Sequence, residues 1–266
     1  MRKGIKIAVF TAFCLCFASC QKTSGKYMRY EDAGRYTAGN VEVNDGLVTE
    51  VEIEWLGGEI EVEQSASGTL RASEEETGLD ESSRMQYLIE DGTLKIKYCR
   101  SGYCGDIAEG SKHLRLELPQ GLDVEIDATT AEINMGVVEM KELSVESVSG
   151  NFSAEKITCQ SVNIETKGGG TYIGELVADK ADIDSTTGNI RVGISTPLQA
   201  EIESRSGNIT LQFNAEVGLR AKFCTNSGEL ITSLPYEKKN GCYEFSQGSG
   251  GGYVEVKSVS GNLRIE

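Results

Sequence analysis

Carboxylates recur through the second half of the chain at a single interval. Asp127, Glu146, Glu165, Asp184 and Glu203 follow one another 19 residues apart. Side chains repeated at a structural period line up, and stacked strands would set these five in a column with rungs about 4.8 Å apart. Like charges opposite each other destabilise a sheet. Either the side chains fan into water, where salt screens them, or they share divalent cations, for which an all-oxygen ligand set favours Ca²⁺. The chain carries no Asp/Asn/Gly calcium-loop motif and no Gly-Gly-x-Gly-x-Asp nonapeptide. The Ca²⁺ expectation therefore rests on the column alone, and no other cofactor is implied.

Catalytic chemistry has poorer material. His113 is the single histidine, beside Lys112, with no evident Ser or Cys partner. Paired carboxylates abound, as a glycosidase would need, but their fixed period marks them as the water-facing side of strands. The residues argue against an enzyme. A polysaccharide-active enzyme is the weakest alternative, to be recognised by a cleft with two carboxylates of divergent pKa.

The column requires a scaffold, and the scaffold is a repeat. The glycine of Val148-Ser-Gly-Asn-Phe152 falls in a column with Ala131, Gly150, Gly169, Gly188 and Gly207, then returns at Gly228 and Gly261 after insertions. An apolar residue stands five positions before each mark, from Ile126 and Val145 to Phe223 and Val256, and most copies place another two positions after it, such as Ile133, Phe152 and Ile190. Period-two alternation around each mark predicts a strand, a Ser/Thr-Gly turn and a second strand. The small residues of the turn suit the backbone angles of a corner. Hydroxyl residues three positions before the mark (Ser147, Thr166, Ser185, Ser204) read as a structural ladder. No copy buries its apolar residues alone, so the copies must stack. The expected fold is all-β: a parallel β-solenoid of 19-residue coils, with an antiparallel β-sandwich as the alternative.

The pattern begins early. Val51-Glu-Ile-Glu-Trp-Leu-Gly-Gly-Glu-Ile-Glu-Val62 repeats it with Gly58 as its mark, Tyr87 to Tyr98 reads as a hairpin turning at Asp91-Gly92, and Leu114 to Leu118 is a strand stopped by Pro119. Residues 65–85 read as a solvated loop. The organisation is residues 1–20 as an export signal, 21–40 as a flexible tether, and 41–266 as one β-strand-repeat domain, irregular over 41–123 and regular over 124–266.

Arg2, Lys3 and Lys6 precede an apolar run that ends in Phe17-Ala18-Ser19-Cys20. The run is short for a membrane span and suits a secretory signal. Its end resembles a bacterial lipobox, which implies lipidation of Cys20 and anchoring at the extracellular face of the membrane. The whole chain carries −15, and three bases with no acid in the first 19 residues leave −18 for the rest. Such a surface excludes nucleic acid as a partner.

Of eight cysteines, Cys14 and Cys16 leave with the signal. Outside the cell, Cys99 with Cys104 and Cys224 with Cys242 are the disulfides to expect, while Cys159 reads as a buried thiol. A four-ligand zinc pattern is absent. The insertion before the last copy is rich in aromatics, and Tyr236, Tyr243, Phe245 and Tyr253 are candidates for a binding loop or for ordinary packing.

The opening Val51-Glu-Ile-Glu-Trp55, the Asp91-Gly-x-Leu-x-Ile96 hairpin, Leu116-x-Leu-Pro-x-Gly121 and the Ser-Gly-Asn-Ile turns resemble the bacterial β-strand-repeat "putative adhesin" family, a domain of unknown function on envelope proteins. The resemblance spans roughly residues 41–266 and offers no catalytic residue. It implies a lipid-anchored surface module that binds an envelope or host ligand. Because some relatives are similar to accessory proteins of envelope stress, it also leaves open a regulatory protein acting by contact with a membrane partner.

Overall fold

Alternating apolar and polar residues have produced strands almost throughout. The structure is a computed structural model that describes residues 28–44, 46–76, 78–103, 112–213, 218–248 and 251–266. The expected export signal with Cys20, and Cys104 of the expected Cys99–Cys104 disulfide, lie outside the described residues. Among these residues the strands form a single, mostly parallel sheet, with one short 3-10 turn at Ala33–Arg35. No helix among them is long and apolar enough to cross a membrane.

Two parallel ladders run through the stack, one before the marks and one after them, and strands Phe152–Thr166 and Thr171–Ser185 pass from one into the other. In the ladder before the marks, Val145 pairs with Ile126 and Ile164, and Ile183 with Ile202, each a step of 19 residues. In the ladder after them, Ile133 pairs with Phe152, Phe152 with Thr171, and Thr171 with Ile190. Parallel pairing at the repeat period makes the fold a β-solenoid, not a sandwich. Strand Asp123–Ala128 shows the alternation directly, with Val124, Ile126 and Ala128 buried and Asp123, Glu125 and Asp127 outward. Stacking places Ile126, Val145, Ile164, Ile183 and Ile202 in the core, each at most 1% exposed. Full burial of such a side chain contributes about 1.5–3 kcal/mol.

The corner explains the marks. Ser185, Ser204, Thr225 and Ser258 accept a hydrogen bond from the backbone N–H of the glycine three residues on, at 2.7–2.9 Å. The mark glycines of the regular coils, such as Gly150, do not have positive φ. They are needed for close approach: a Cβ on Gly150 would sit 1.7 Å from the carbonyl oxygen of Ala131, and one on Gly188 1.8 Å from that of Gly169. The asparagines beside them form a ladder of their own. Asn151 accepts from Gly170 N–H (2.8 Å), Asn189 from Asn208 N–H (2.9 Å) and Asn208 from Asn262 N–H (3.0 Å).

Coil order in space departs from chain order at both ends. Strand Glu50–Trp55 lies between Thr93–Lys97 and Asp123–Ala128, so the second coil stacks outside the first. Strand Gly252–Ser258 lies between Gln199–Ser204 and Leu219–Thr225, so the last copy is inserted inside the one before it. The strand Cys242–Gln247 then pairs antiparallel on the outer side of Leu219–Thr225, and Tyr236–Lys239 pairs antiparallel with it.

Two expectations are corrected at the opposite end. Residues 28–40 are no tether: Met28 is 6% exposed, Tyr30 Oη donates to the Cys99 carbonyl at 3.1 Å, and Thr37–Ala38 pairs with Gln86–Glu90. Met28 and the tyrosines supply enough apolar surface to dock. The 65–85 loop contains strand Leu70–Glu74, antiparallel to His113–Leu118, with Leu70, Ala72 and Met85 buried. The hairpin at Asp91 (φ 51°) and Gly92 (φ 84°) is as the sequence indicates.

Candidate functional site

The solenoid turns one strongly acidic face to water. In the ladder before the marks, Glu54, Asp127, Glu146, Glu165, Asp184 and Glu203 occupy one outward column in register. The column is closed by lysines at both ends, Lys97 pairing with Glu54 and Lys257 with Glu203 at 2.6 Å. Loss of hydration among the packed strands, reinforced by Glu125, Glu146 and Glu54, pushes the Asp127 carboxyl up to about 6. The same desolvation, followed by repulsion from Asp182, Glu203, Glu165 and Glu201, takes Asp184 to about 6. Both side chains still touch solvent, so salt screens part of the repulsion. Ligands for one ion must converge, and no three of these carboxylates bring oxygens within 4.8 Å of one another among the described residues.

His113 has a different setting. It opens strand His113–Leu118, with Nδ1 3.1 Å from Glu75 and Nε2 3.6 Å from Glu61. These three form the one convergent group of ligand type among the described residues. Arg115 Nε, however, is 3.8 Å from the same Glu61 oxygen, and Arg115 Nη2 is 2.9 Å from Glu63. A guanidinium already supplies the positive charge that a metal would bring, which favours an ion-pair cluster.

Sequence reasoning missed the buried Lys112. It takes a glycine's place in the mark column next to Gly58, whose added Cβ would lie 2.0 Å from the Lys112 carbonyl oxygen. Its side chain turns inward at 1% exposure, pairs with Glu74, donates to the carbonyls of Ser83 (2.7 Å) and Tyr98, and lies 4.3 Å from the Tyr98 ring centroid. Burial pushes Lys112 down and Glu74 up, and each opposes the other's shift. Every donor of the ammonium is used, so the cluster reads as a plug for the end of the stack.

Cys224 and Cys242 are joined by a disulfide that staples the terminal hairpin to the last coil. The Cys159 thiol is half-buried, and burial pushes it up to about 11. The four aromatics divide. Tyr243 stacks on Phe223 at 6.0 Å and Phe245 is buried, so both serve packing. Tyr236, 50% exposed and edge-on to Tyr243 at 5.5 Å, lines a groove of about 600 Å³ with Tyr253, Arg220, Lys222 and Lys239.

Comparison with known proteins bears on this architecture. The model of the family described as Toastrack DUF4097 matches residues 89–266. No curated protein matches the chain. Among solved structures, the chain is similar to one described as a putative adhesin from Bacteroides fragilis (14% identity, 85% of this chain and 96% of that one, TM-score 0.44). It is also similar to two proteins from Parabacteroides distasonis. One is described as a putative adhesin (10% identity, 87% and 97% coverage, TM-score 0.40) and the other as a putative lipid binding protein (17%, 91% and 100%, 0.34).

Proposed function

The chain belongs to the Toastrack DUF4097 family, and from that premise we propose that it is a non-catalytic binding module of the cell surface, an adhesin in kind. Lipid on Cys20 holds it to the extracellular face of the membrane, and the groove beside Tyr236 engages the ligand.

The placement of the groove carries this reading. The N-terminal segment docks at the end of the stack plugged by Lys112, where Gly102 N–H donates to the Met28 carbonyl at 2.9 Å. The groove is built by Leu219–Thr225, Tyr236–Lys239 and Cys242–Gln247 at the other end. At about 4.8 Å per strand the two ends are roughly 55 Å apart. A chain tethered by its N-terminus would present the groove away from the membrane. The disulfide holds that groove in shape, which lowers the ordering cost of binding.

Two substitutions test the two halves of the proposal. Cys20→Ser should move the chain from the membrane fraction to the medium. Tyr236→Ala combined with Tyr253→Ala should leave display and folding intact and abolish attachment of displaying cells to immobilised envelope or host glycans. Undiminished attachment by the folded, displayed double variant would overturn the assignment of the groove.

A further inference from the structure

We propose that the groove takes an acidic saccharide, a short sugar chain bearing carboxylates, with Arg220 holding a carboxylate and Tyr253, its cross-strand neighbour, lying against a sugar ring. This names the ligand class of the recognition site argued above and rests on that assignment.

The charge pattern points there. The chain is −15 overall, and its acidic column ends at Lys257. On the strand beyond Lys257 come Arg220 and Lys222, so the groove opens where the acidic face stops. The other cations of the groove are engaged: Lys222 with Glu255 at 2.8 Å, and Lys239 with Glu237 at 2.7 Å and Glu244 at 3.4 Å. Arg220 is exposed and forms no ion pair among the described residues, so its planar donor fork is available to a carboxylate in the bidentate geometry that arginine favours.

The remaining lining favours a sugar over an apolar peptide. Of the apolar residues beside the tyrosines, Ala221 and Phe245 are buried, leaving Pro235, while Glu237, Glu244, Ser246 and the lysines offer acceptors and donors together. Hydroxyl groups, which both donate and accept, match such a rim. Flat aromatic rings match the C–H faces of pyranoses. A volume of about 600 Å³ lies within the usual range of ligand sites and admits a short oligomer. The acidic face would repel a long polyanion that ran beyond the groove.

The test is calorimetric titration of the purified chain with tetragalacturonate and with its neutral methyl ester, repeated on Arg220→Ala, Arg220→Lys, Tyr253→Ala and the distant control Arg205→Ala. Thermal melts verify that each variant is folded. The expected result is that the acid binds, that the ester and Arg220→Ala each weaken binding about tenfold or more, the scale of a charge-assisted hydrogen-bond pair, and that Arg205→Ala changes nothing. Arg220→Lys should recover only part, since lysine keeps the charge without the fork. Equal affinity for acid and ester, or no heat from the acid, overturns the acidic class. If the ester binds and Tyr253→Ala removes its binding, the groove stands as the recognition site. If both bind and Tyr253→Ala changes neither, the groove itself is wrong.

Discussion

Lys257 Nζ lies 2.6 Å from the Glu203 carboxylate, although 54 residues separate them in the chain. The contact exists because the last copy of the repeat is inserted inside the copy before it, which sets a lysine against the end of the acidic column. The same ammonium also bonds Glu201. Lys257→Glu would extend the column by one more acid. An exposed pair is worth about 0.2–1 kcal/mol, and adding repulsion to its loss should destabilise the protein by about 1–2 kcal/mol. The effect should shrink in about 1 M salt, where the Debye length is about 3 Å. Thermal melts of wild type and variant at low and high salt check this; an effect that salt leaves unchanged would point to packing.

The column also sets a pH dependence. Asp127 and Asp184 titrate near 6 in the folded chain, above their ordinary value of 3.8, through desolvation and crowding. The folded state thus holds protons that the unfolded state has released, and stability falls as pH rises from about 4 to about 6. Melting temperature should therefore climb when the pH is lowered from 7 towards 5. Asp127→Asn with Asp184→Asn should flatten that rise and raise the melting temperature at pH 7. A double variant with the slope of wild type would show that the strain lies elsewhere.

Calcium offers a second probe of the same face. Because the carboxylates are strung out along strands and do not converge, and Ca²⁺ takes six to eight oxygens, millimolar calcium should raise the melting temperature no more than sodium chloride of equal ionic strength. A calcium-specific rise abolished by Glu165→Gln with Asp184→Asn would show that the column gathers ions after all.

The sequence displays whatever repeats and hides whatever happens once. Alternation and the 19-residue spacing reveal the parallel ladders, the buried isoleucines and the acidic column, because each copy restates them. Stacking order is hidden: Ile202 matches Val256 as well as Phe223, since every copy presents the same edge. Lys257 and Lys222 held the available clue, being cations at outward positions that Glu203 and Glu201 occupy in the copy marked by Gly207. Lys112 replaces a glycine without any signature, and Leu70–Glu74 is a single short alternation running into Glu75 and Glu76. The groove was legible only as aromatic content. Its cationic side comes from Leu219–Thr225 and depends on the hairpin folding back across that strand.

The mark glycines make a steric prediction. Gly150→Ala places a methyl 1.7 Å from the Ala131 carbonyl oxygen, whereas Gly34→Ala meets nothing within 4 Å. Overpacking in a rigid setting costs about 1–3 kcal/mol and sometimes more, and here the obstacle is backbone on the next coil. Gly150→Ala should fall at or above the top of that range, with Gly34→Ala within about 0.5 kcal/mol of wild type. Chemical denaturation gives both values. Near-neutrality of Gly150→Ala would mean that the coils can part without loss.

The plug at the Lys112 end of the stack tests whether charge or volume closes it. Lys112 and Glu74 are both buried, and Glu74 also accepts from Met85 N–H at 3.1 Å. Lys112→Met keeps most of the volume but leaves a carboxylate buried among Trp55 and Tyr98 without its partner. Breaking such a pair costs about 3–5 kcal/mol. Adding Glu74→Gln removes the orphaned charge and keeps an acceptor for Met85, so the double variant should be more stable than Lys112→Met alone. If the single and double variants melt together, the loss comes from the unfilled carbonyls of Ser83 and Tyr98, and the plug works by hydrogen bonding of the ammonium instead of by neutralising Glu74.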